Sequence, residues 1–419
     1  MNLSEVDVMI LDLAIQLTND QILKRHMQLG VELEKHRVDK QGNLSTTPFP
    51  DINQCDVTNN IKREFAVSQA EFVSPKMTTA SQLYDFMTDT VKKFNQVMST
   101  DEILWPFSMP PDLPADRDQI PISVEPKESY QYRLESKARH ELGKAMNTGV
   151  HINLSLTKPA MQKIVHQQPD LVTQQDLYVK MAQHFVLNRW VLTYLFGASP
   201  VVEENYFVDD REMVRPVRSI RSSRFGFGNN VMGDYSSVKA YAKKIEAAVA
   251  TDKLIEPREF YDSVRLKHAG SKDPADLLTD GVTYIELRTF DVNPFTASGI
   301  SVEQLQLVQL LSLYFLNQPA LLTWQLPQLT QQAKRMNNHV ALEHPLALSR
   351  YHREGVELLQ DVEKFVDDQK LGDESKRLVQ CFKEQFKCPE LTLAGRLTKQ
   401  VQDKSLLSFG LRQGERLMS

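Results

Sequence analysis

At 419 residues the chain can hold one large domain or two to three of average size, and its 41% hydrophobic and 25% charged residues are those of a soluble globular protein. A net charge of -5 leaves no basic footprint for nucleic acid, and Cys55, Cys381 and Cys388 are too few and too poorly spaced for a disulfide framework or a zinc site. With an acidic N-terminus and no unbroken apolar run of about 18 residues, the expectation is a cytoplasmic protein without a membrane partner.

Residues 3–29 carry Val6, Ile10, Leu13, Ile15 and Leu17 near a helical period, which predicts an amphipathic scaffold helix. Gly30–Val38 then reads as a strand. Alternation puts Glu32, Glu34 and His36 on one face and Val31 and Leu33 on the other. Carboxylates two positions apart on a strand lie about 6.5–7 Å apart. That spacing suits divalent cations bridged by phosphate oxygens, and equally a hydrated edge strand. A turn at Gln41–Asn43 and a loop through Pro48 and Pro50 follow.

Within 61–75, Glu64 and Glu71 would share a face on a helix but oppose each other on one continuous strand. Residues 69–75 look extended, so Glu71 is the easier to place. Residues 78–99 predict a helix, and Leu104–Pro111 is a stiff aromatic and proline-rich packed loop. Tyr132–Met146 reads as a basic helix. Gly149–Leu156 then alternates, with Val150, Ile152, Leu154 and Leu156 facing one way and His151, Asn153 and Ser155 the other. His151 on such a face is either a structural histidine or a metal ligand.

Residues 174–196 predict a largely apolar helix, and the acidic 203–212 segment a surface loop. Gly226 and Gly228 invite a dinucleotide fingerprint, but Val231 stands at its third glycine, and no Gly-Lys-Ser/Thr motif occurs anywhere. Residues 236–251 read as helix and 262–280 as a charged loop. Tyr284–Phe290 is a strand with Tyr284, Glu286 and Arg288 on one face, ended by Asp291-Val292-Asn293-Pro294-Phe295. From Val302 the pattern is helical, through 305–316, 355–370 and 374–387, and predicts support packed on a sheet. No repeat or linker marks a boundary, so 1–419 reads as a single domain.

Glu32, Glu34, Glu71, Glu286 and His151, joined by Arg221 and Arg288, therefore offer oxygen-rich ligands for a hard divalent cation beside bidentate clamps for a carboxylate or phosphoryl group. Without a P-loop, this pattern suggests a kinase-like or carboxylate-activating enzyme. At this point Gly30–Val38, Leu104–Pro110, Gly149–Leu156, Tyr194–Pro200, Ser219–Asn229 and Tyr284–Phe295, with Cys388–Thr392 near the end, follow in order the landmarks of bacterial glutamate–cysteine ligase. The resemblance covers about residues 10–412.

The resemblance implies an α+β fold, with a curved, mainly antiparallel sheet forming a funnel related to glutamine synthetase, helices outside and a helical C-terminal third. It implies Glu32, Glu34, Glu64, Glu71, His151 and Glu286 as ligands of Mg²⁺ (or Mn²⁺), with Glu64 standing where the family usually has aspartate. Arg221 and Arg288 match arginines that hold glutamate and the transferred phosphate, which makes Arg288 and Glu286 the catalytic pair. Phe65, Tyr132 and Tyr261 match the lining of the cysteine pocket, and Phe227 replaces a usual tyrosine there. The chain ends without the ATP-grasp domain of bifunctional glutathione-synthesising enzymes, so it resembles the one-step ligase.

The implied reaction is ATP-dependent joining of the L-glutamate γ-carboxylate to the L-cysteine amine through a γ-glutamyl phosphate. The small-molecule substrates are glutamate, cysteine and ATP, and the protein is expected as a monomer or weak homo-oligomer. Two alternatives stand beside this: a ligase for a different amine, and a catalytically silent glutamate- or nucleotide-binding protein.

Overall fold

Alternation along one strand, β1 (Met27–Asp39), sets the architecture. Met27, Leu29, Val31 and Leu33 are completely buried on one face, which leaves Glu32 and Glu34 on the other. The computed structural model describes residues 27–55, 59–167, 173–208, 213–228, 231–270, 273–319 and 321–418. The helix expected over 3–29 lies outside these as far as residue 26, and residues 27–29 belong to β1.

The remaining strands are β2 (Ile61–Arg63), β3 (Gln69–Val73), β4 (Glu102–Leu104), β5 (Val150–Leu156), β6 (Val264–Lys267) and β7 (Tyr284–Phe290). They form one sheet in the order β2-β3-β1-β5-β7-β6, with β4 pairing the far end of β1. Every pairing is antiparallel. This bears out the expected antiparallel sheet with helices outside. One face is apolar: Phe72 of β3, Val150, Ile152 and Leu154 of β5, and Ile285 and Leu287 of β7 join the buried β1 side chains. The Ala80–Val97, Gln174–Phe196 and Val302–Leu316 helices cover it. Each fully buried aliphatic side chain in such a layer contributes about 1.5–3 kcal/mol.

The Gln174–Phe196 helix is buried almost all round because the sheet lies on one side and the Leu326–Ala341 helix on the other. Its start is set by a capping box, in which the Thr173 hydroxyl accepts from Asp176 N and the Asp176 carboxylate accepts from Thr173 N. It ends at Gly197, where a Cβ would lie 2.6 Å from the Thr193 carbonyl oxygen.

Four expectations change. Val264–Lys267, within the expected charged loop, is strand β6, too short to show a period in the sequence. The Tyr132–Met146 helix is two helices, Lys127–Arg139 and Leu142–Ala145, broken at His140. Glu203 of the expected surface loop is buried and accepts bonds from the Ser405 hydroxyl at 2.6 Å and Leu406 N at 2.8 Å. His36 shares a strand face with Glu32 but is fully buried, between the Ser68 hydroxyl at 3.0 Å and the Met146 carbonyl at 2.7 Å.

His184, buried on the central helix, donates from Nε2 to the Pro319 carbonyl at 3.1 Å. Burial pushes its pKa down to about 4, with the carbonyl pulling the other way. The unfolded chain therefore binds a proton between about pH 6.5 and 4 that the folded chain refuses, and stability falls as pH falls through that window. The slope for this group is about 1.4 kcal/mol per pH unit. Denaturant unfolding at about pH 7 and pH 5 should show a stability gap about 2 kcal/mol smaller in His184→Gln than in the parent. An equal gap would mean that His184 charges inside the folded protein.

Candidate active site

The polar face of the sheet opens into a cavity of about 570 Å³. The residues that the family resemblance assigns to the site all line it: Glu32 and Glu34 from β1, Glu64 and Phe65 after β2, Glu71 from β3, Tyr132, His151, Arg221, Phe227, Tyr261, and Glu286 and Arg288 from β7.

Strand register brings the acidic wall together. Glu34 lies opposite Glu71, Glu32 opposite His151, and Glu286 opposite Asn153. The β5–β7 pairing is irregular between Val150 and Ile152, the place where His151 turns into the cavity. His151 Nδ1 stands 3.4 Å from Glu32 Oε2 and 3.7 Å from Glu286 Oε1, and its Nε2 stands 3.9 Å from Glu34 Oε1. Donor atoms of Glu32, His151 and Glu286 all lie within 4.8 Å of one another. The ambiguity between Glu64 and Glu71 resolves in a hairpin: the chain turns after β2 and returns along β3, so both reach the same cavity.

The wall is electrically divided. Burial raises Glu286, but the Arg288, Arg265, His151 and Lys267 charges overcome it and hold the carboxyl far below the usual range. Burial and the Glu286 charge raise Glu32, but it is lowered overall by the hydrogen bond and charge of His151 and by the bond it accepts from Asn153 Nδ2 at 2.9 Å. Glu64 goes the other way: burial and the Glu34 charge push it up to about 7. Burial and the Glu64 charge raise Glu71 still more clearly. Crowded carboxylates that oppose one another's ionisation, next to donor atoms this close, fit a hard divalent cation.

Cations form the facing wall. Arg288 is ion-paired with Glu286, and Arg221 Nη1 donates to the Arg288 carbonyl at 3.2 Å. Lys267 Nζ lies 3.7 Å from Glu286 Oε2. Arg265, opposite Glu286 in the β6–β7 ladder, donates to the Phe260 carbonyl at 2.6 Å. Sequence reasoning missed Arg265 and Lys267 because β6 is so short. It also missed Arg189, on the apolar helix, and Lys334, Asn337 and Asn338, which the Leu326–Ala341 helix delivers to the cavity. That one C-terminal helix is thus more than support. The signal was there in Lys334 and Asn337, three apart on one helix face.

An aromatic corner completes the cavity. The Tyr132 and Tyr261 hydroxyls lie 3.4 Å apart, and the Phe227 ring meets Tyr261 edge-on at 4.5 Å between centroids. Phe227 also packs edge-on against His140 at 5.6 Å, and the Arg258 guanidinium covers Tyr132 at 4.8 Å. The failed glycine fingerprint has a local cause, since a Cβ on Gly226 would fall 1.9 Å from the Arg221 carbonyl oxygen. That glycine closes a turn.

The family model for glutamate-cysteine ligase matches residues 13–256 and 252–338. The chain belongs to the glutamate–cysteine ligase family. The glutathione biosynthesis bifunctional protein GshAB of Streptococcus thermophilus is 33% identical over 392 residues, covering 92% of this chain and 51% of that protein. The same-named protein of Streptococcus agalactiae is 31% identical over 418 residues, covering 97% and 54%. The chain therefore spans about half the length of the curated relatives it matches. The crystal structure of a bifunctional glutathione synthetase from Pasteurella multocida superposes with a TM-score of 0.86 at 28% identity, over 97% of this chain and 54% of that one. Glutamate–cysteine ligase of Francisella tularensis, solved with AMP, shares the fold with a TM-score of 0.83 at 22% identity, over 94% and 88%.

The acidic wall makes a prediction that needs no turnover. Mg²⁺ or Mn²⁺ at millimolar concentration should raise the melting temperature of the parent by several degrees, following RT ln(1 + [L]/Kd). Glu286→Gln should remove most of that rise. Glu71→Gln, which removes a carboxylate opposed by burial and by Glu64, should melt above the parent in the absence of metal. An equal metal-induced rise in parent and Glu286→Gln would place the ion elsewhere.

Proposed function

We propose that this protein joins the γ-carboxylate of L-glutamate to the amine of L-cysteine with consumption of ATP, giving γ-glutamylcysteine, ADP and phosphate. The observation that carries the reading is the cavity of a ligase-family chain with an acidic wall facing an arginine wall across the sheet's polar face. A carboxylate is a poor electrophile because its leaving group would be oxide. Attack of a γ-carboxylate oxygen on the ATP γ-phosphorus, with ADP leaving, gives an acyl phosphate. The amine nitrogen then attacks the acyl carbon, phosphate leaves and the amine loses a proton.

In this reading Arg221 and Arg288 hold the glutamate and the transferred group. Planar guanidinium forks match both carboxylate and phosphoryl oxygens, and Glu286 fixes Arg288 through their ion pair. Glu32, Glu34, His151 and Glu286 would hold a divalent cation, Mg²⁺ or Mn²⁺, with Glu64 and Glu71 on the same wall. When bound, it neutralises charge between the carboxylate and the polyphosphate. Tyr132, Tyr261, Phe65 and Phe227 line the place for the amine and exclude water from it. The cytoplasm, where ATP and cysteine coexist, is the compartment that suits this chemistry.

Purified protein with ATP, Mg²⁺, glutamate and a panel of amines should yield γ-glutamylcysteine by mass, with one ADP and one phosphate per dipeptide. AMP and pyrophosphate would exclude the acyl phosphate, and no coupled product with any amine would leave a binding protein.

Phe227 supplies an aromatic edge but no hydroxyl to the amine corner. An apolar contact of this size separates similar ligands by only about 1–3 kcal/mol. The kcat/KM ratio of cysteine to 2-aminobutyrate, which lacks the thiol, should therefore be lower in the parent than in Phe227→Tyr. The same ratio in both would remove Phe227 from amine selection.

A further inference from the structure

We propose that Asp291 is a positioning residue whose carboxylate holds Arg221 away from the acidic wall, in the orientation from which the guanidinium meets an anionic substrate group. The substrate half of this inference rests on the function proposed above. Asp291 immediately follows β7 and is buried. Its Oδ2 accepts from Ala198 N at 2.7 Å and from the Ser199 hydroxyl at 2.7 Å. The same Ser199 oxygen accepts from Arg221 N at 3.2 Å, so one serine ties the carboxylate to the arginine's backbone. The other carboxylate oxygen, Oδ1, makes no hydrogen bond among the described residues and lies 3.9 Å from Arg221 Nη1.

The guanidinium has a second support. A Cβ at Gly149 would lie 2.1 Å from Arg221 Nη2 and 2.4 Å from Cζ, so the arginine occupies space that any side chain at 149 would take. Opposing these restraints is Glu34, the next anion after Asp291 in its pull on Arg221. An arginine that paired with Glu34 would be lost as a substrate clamp and would take a carboxylate out of the acidic wall. Asp291 supplies a competing anion, with its orientation fixed by the turn at Ala198 and Ser199. The Asp291–Phe295 stretch thereby acquires a role beyond ending the strand.

The test compares the parent with Asp291→Asn, Arg221→Gln, the double variant and Gly149→Ala. In ligand-free protein, peptide mapping after phenylglyoxal treatment should show the rate of Arg221 modification changed several-fold in Asp291→Asn relative to the parent. Equal rates would overturn the proposal. In turnover, Asp291→Asn should raise the glutamate KM at least about tenfold with a much smaller change in kcat. It should change Arg221→Gln by less than about twofold. Independent, multiplying losses would mean that Asp291 serves only the 197–200 turn, and would also overturn it. Should thermal melts find Asp291→Asn unfolded, Gly149→Ala decides. Its Cβ would displace the guanidinium directly, and an unchanged glutamate KM would sink the idea. A parent that makes no dipeptide would overturn the proposed function, and the phenylglyoxal comparison would still decide Asp291.

Discussion

A buried carboxylate that must stay charged is the constraint around which the site is built. Moving an ionised carboxylate out of water costs several kcal/mol unless partners compensate. Glu286 is almost fully buried and remains ionised because cations approach it from two strands: Arg288 from its own, Arg265 and Lys267 from β6. The strand order β5-β7-β6 follows from that need. It sets Asn153 and His151 on one flank of Glu286 and Arg265 and Lys267 on the other. Glu286 is thus shared between the close donor group it forms with Glu32 and His151 and the ion pair with Arg288, so a change at this residue reaches both.

Glu64 and Glu71 occupy the same cavity with company too weak to offset burial: Arg133 and Arg288 pull Glu64 down and Lys62 pulls Glu71 down, yet both carboxyls are raised. Lys62, the cation near Glu71, lies 3.7 Å away and is about half exposed at 53%, so solvent screens it. The cavity therefore has one corner where charge is held by protein cations and another where it is held off by burial and like charges. The same residue type does different work in the two corners because of its neighbours alone.

The parts of this arrangement legible in the sequence were those with a clean period. Met27–Asp39 and Val150–Leu156 alternate because one face meets helices and the other a cavity, and from their polar residues Glu32, Glu34 and His151 reach the site. His36 shows where that logic ends. It keeps the parity of Glu32 and Glu34 but lies past the cavity's edge, where β4 begins to pair with β1. Residues contributed by short strands and by uniformly buried helices gave no such signal, which is why Arg265, Lys267 and Arg189 went unread. Glu64 required the hairpin, a tertiary fact. The ordered landmarks of a known family carried its assignment, and with it those of Phe65, Tyr132, Phe227 and Tyr261. Their own residue types announce nothing.

The strand pairings also fix when the site can exist. Glu32 finds His151 only after β1 pairs with β5, and both find Glu286 only after β7 joins β5 from the other side. These are long loops to close, and their closure is slow because the entropy is lost before the contacts form. During synthesis, a nascent chain that has emerged only as far as residue 280 carries Glu32 and His151 but lacks β7 and the third donor. A cation or a substrate held by all three strands would thus act as an inspector of finished molecules: it would bind the completed sheet and draw the folding equilibrium toward it.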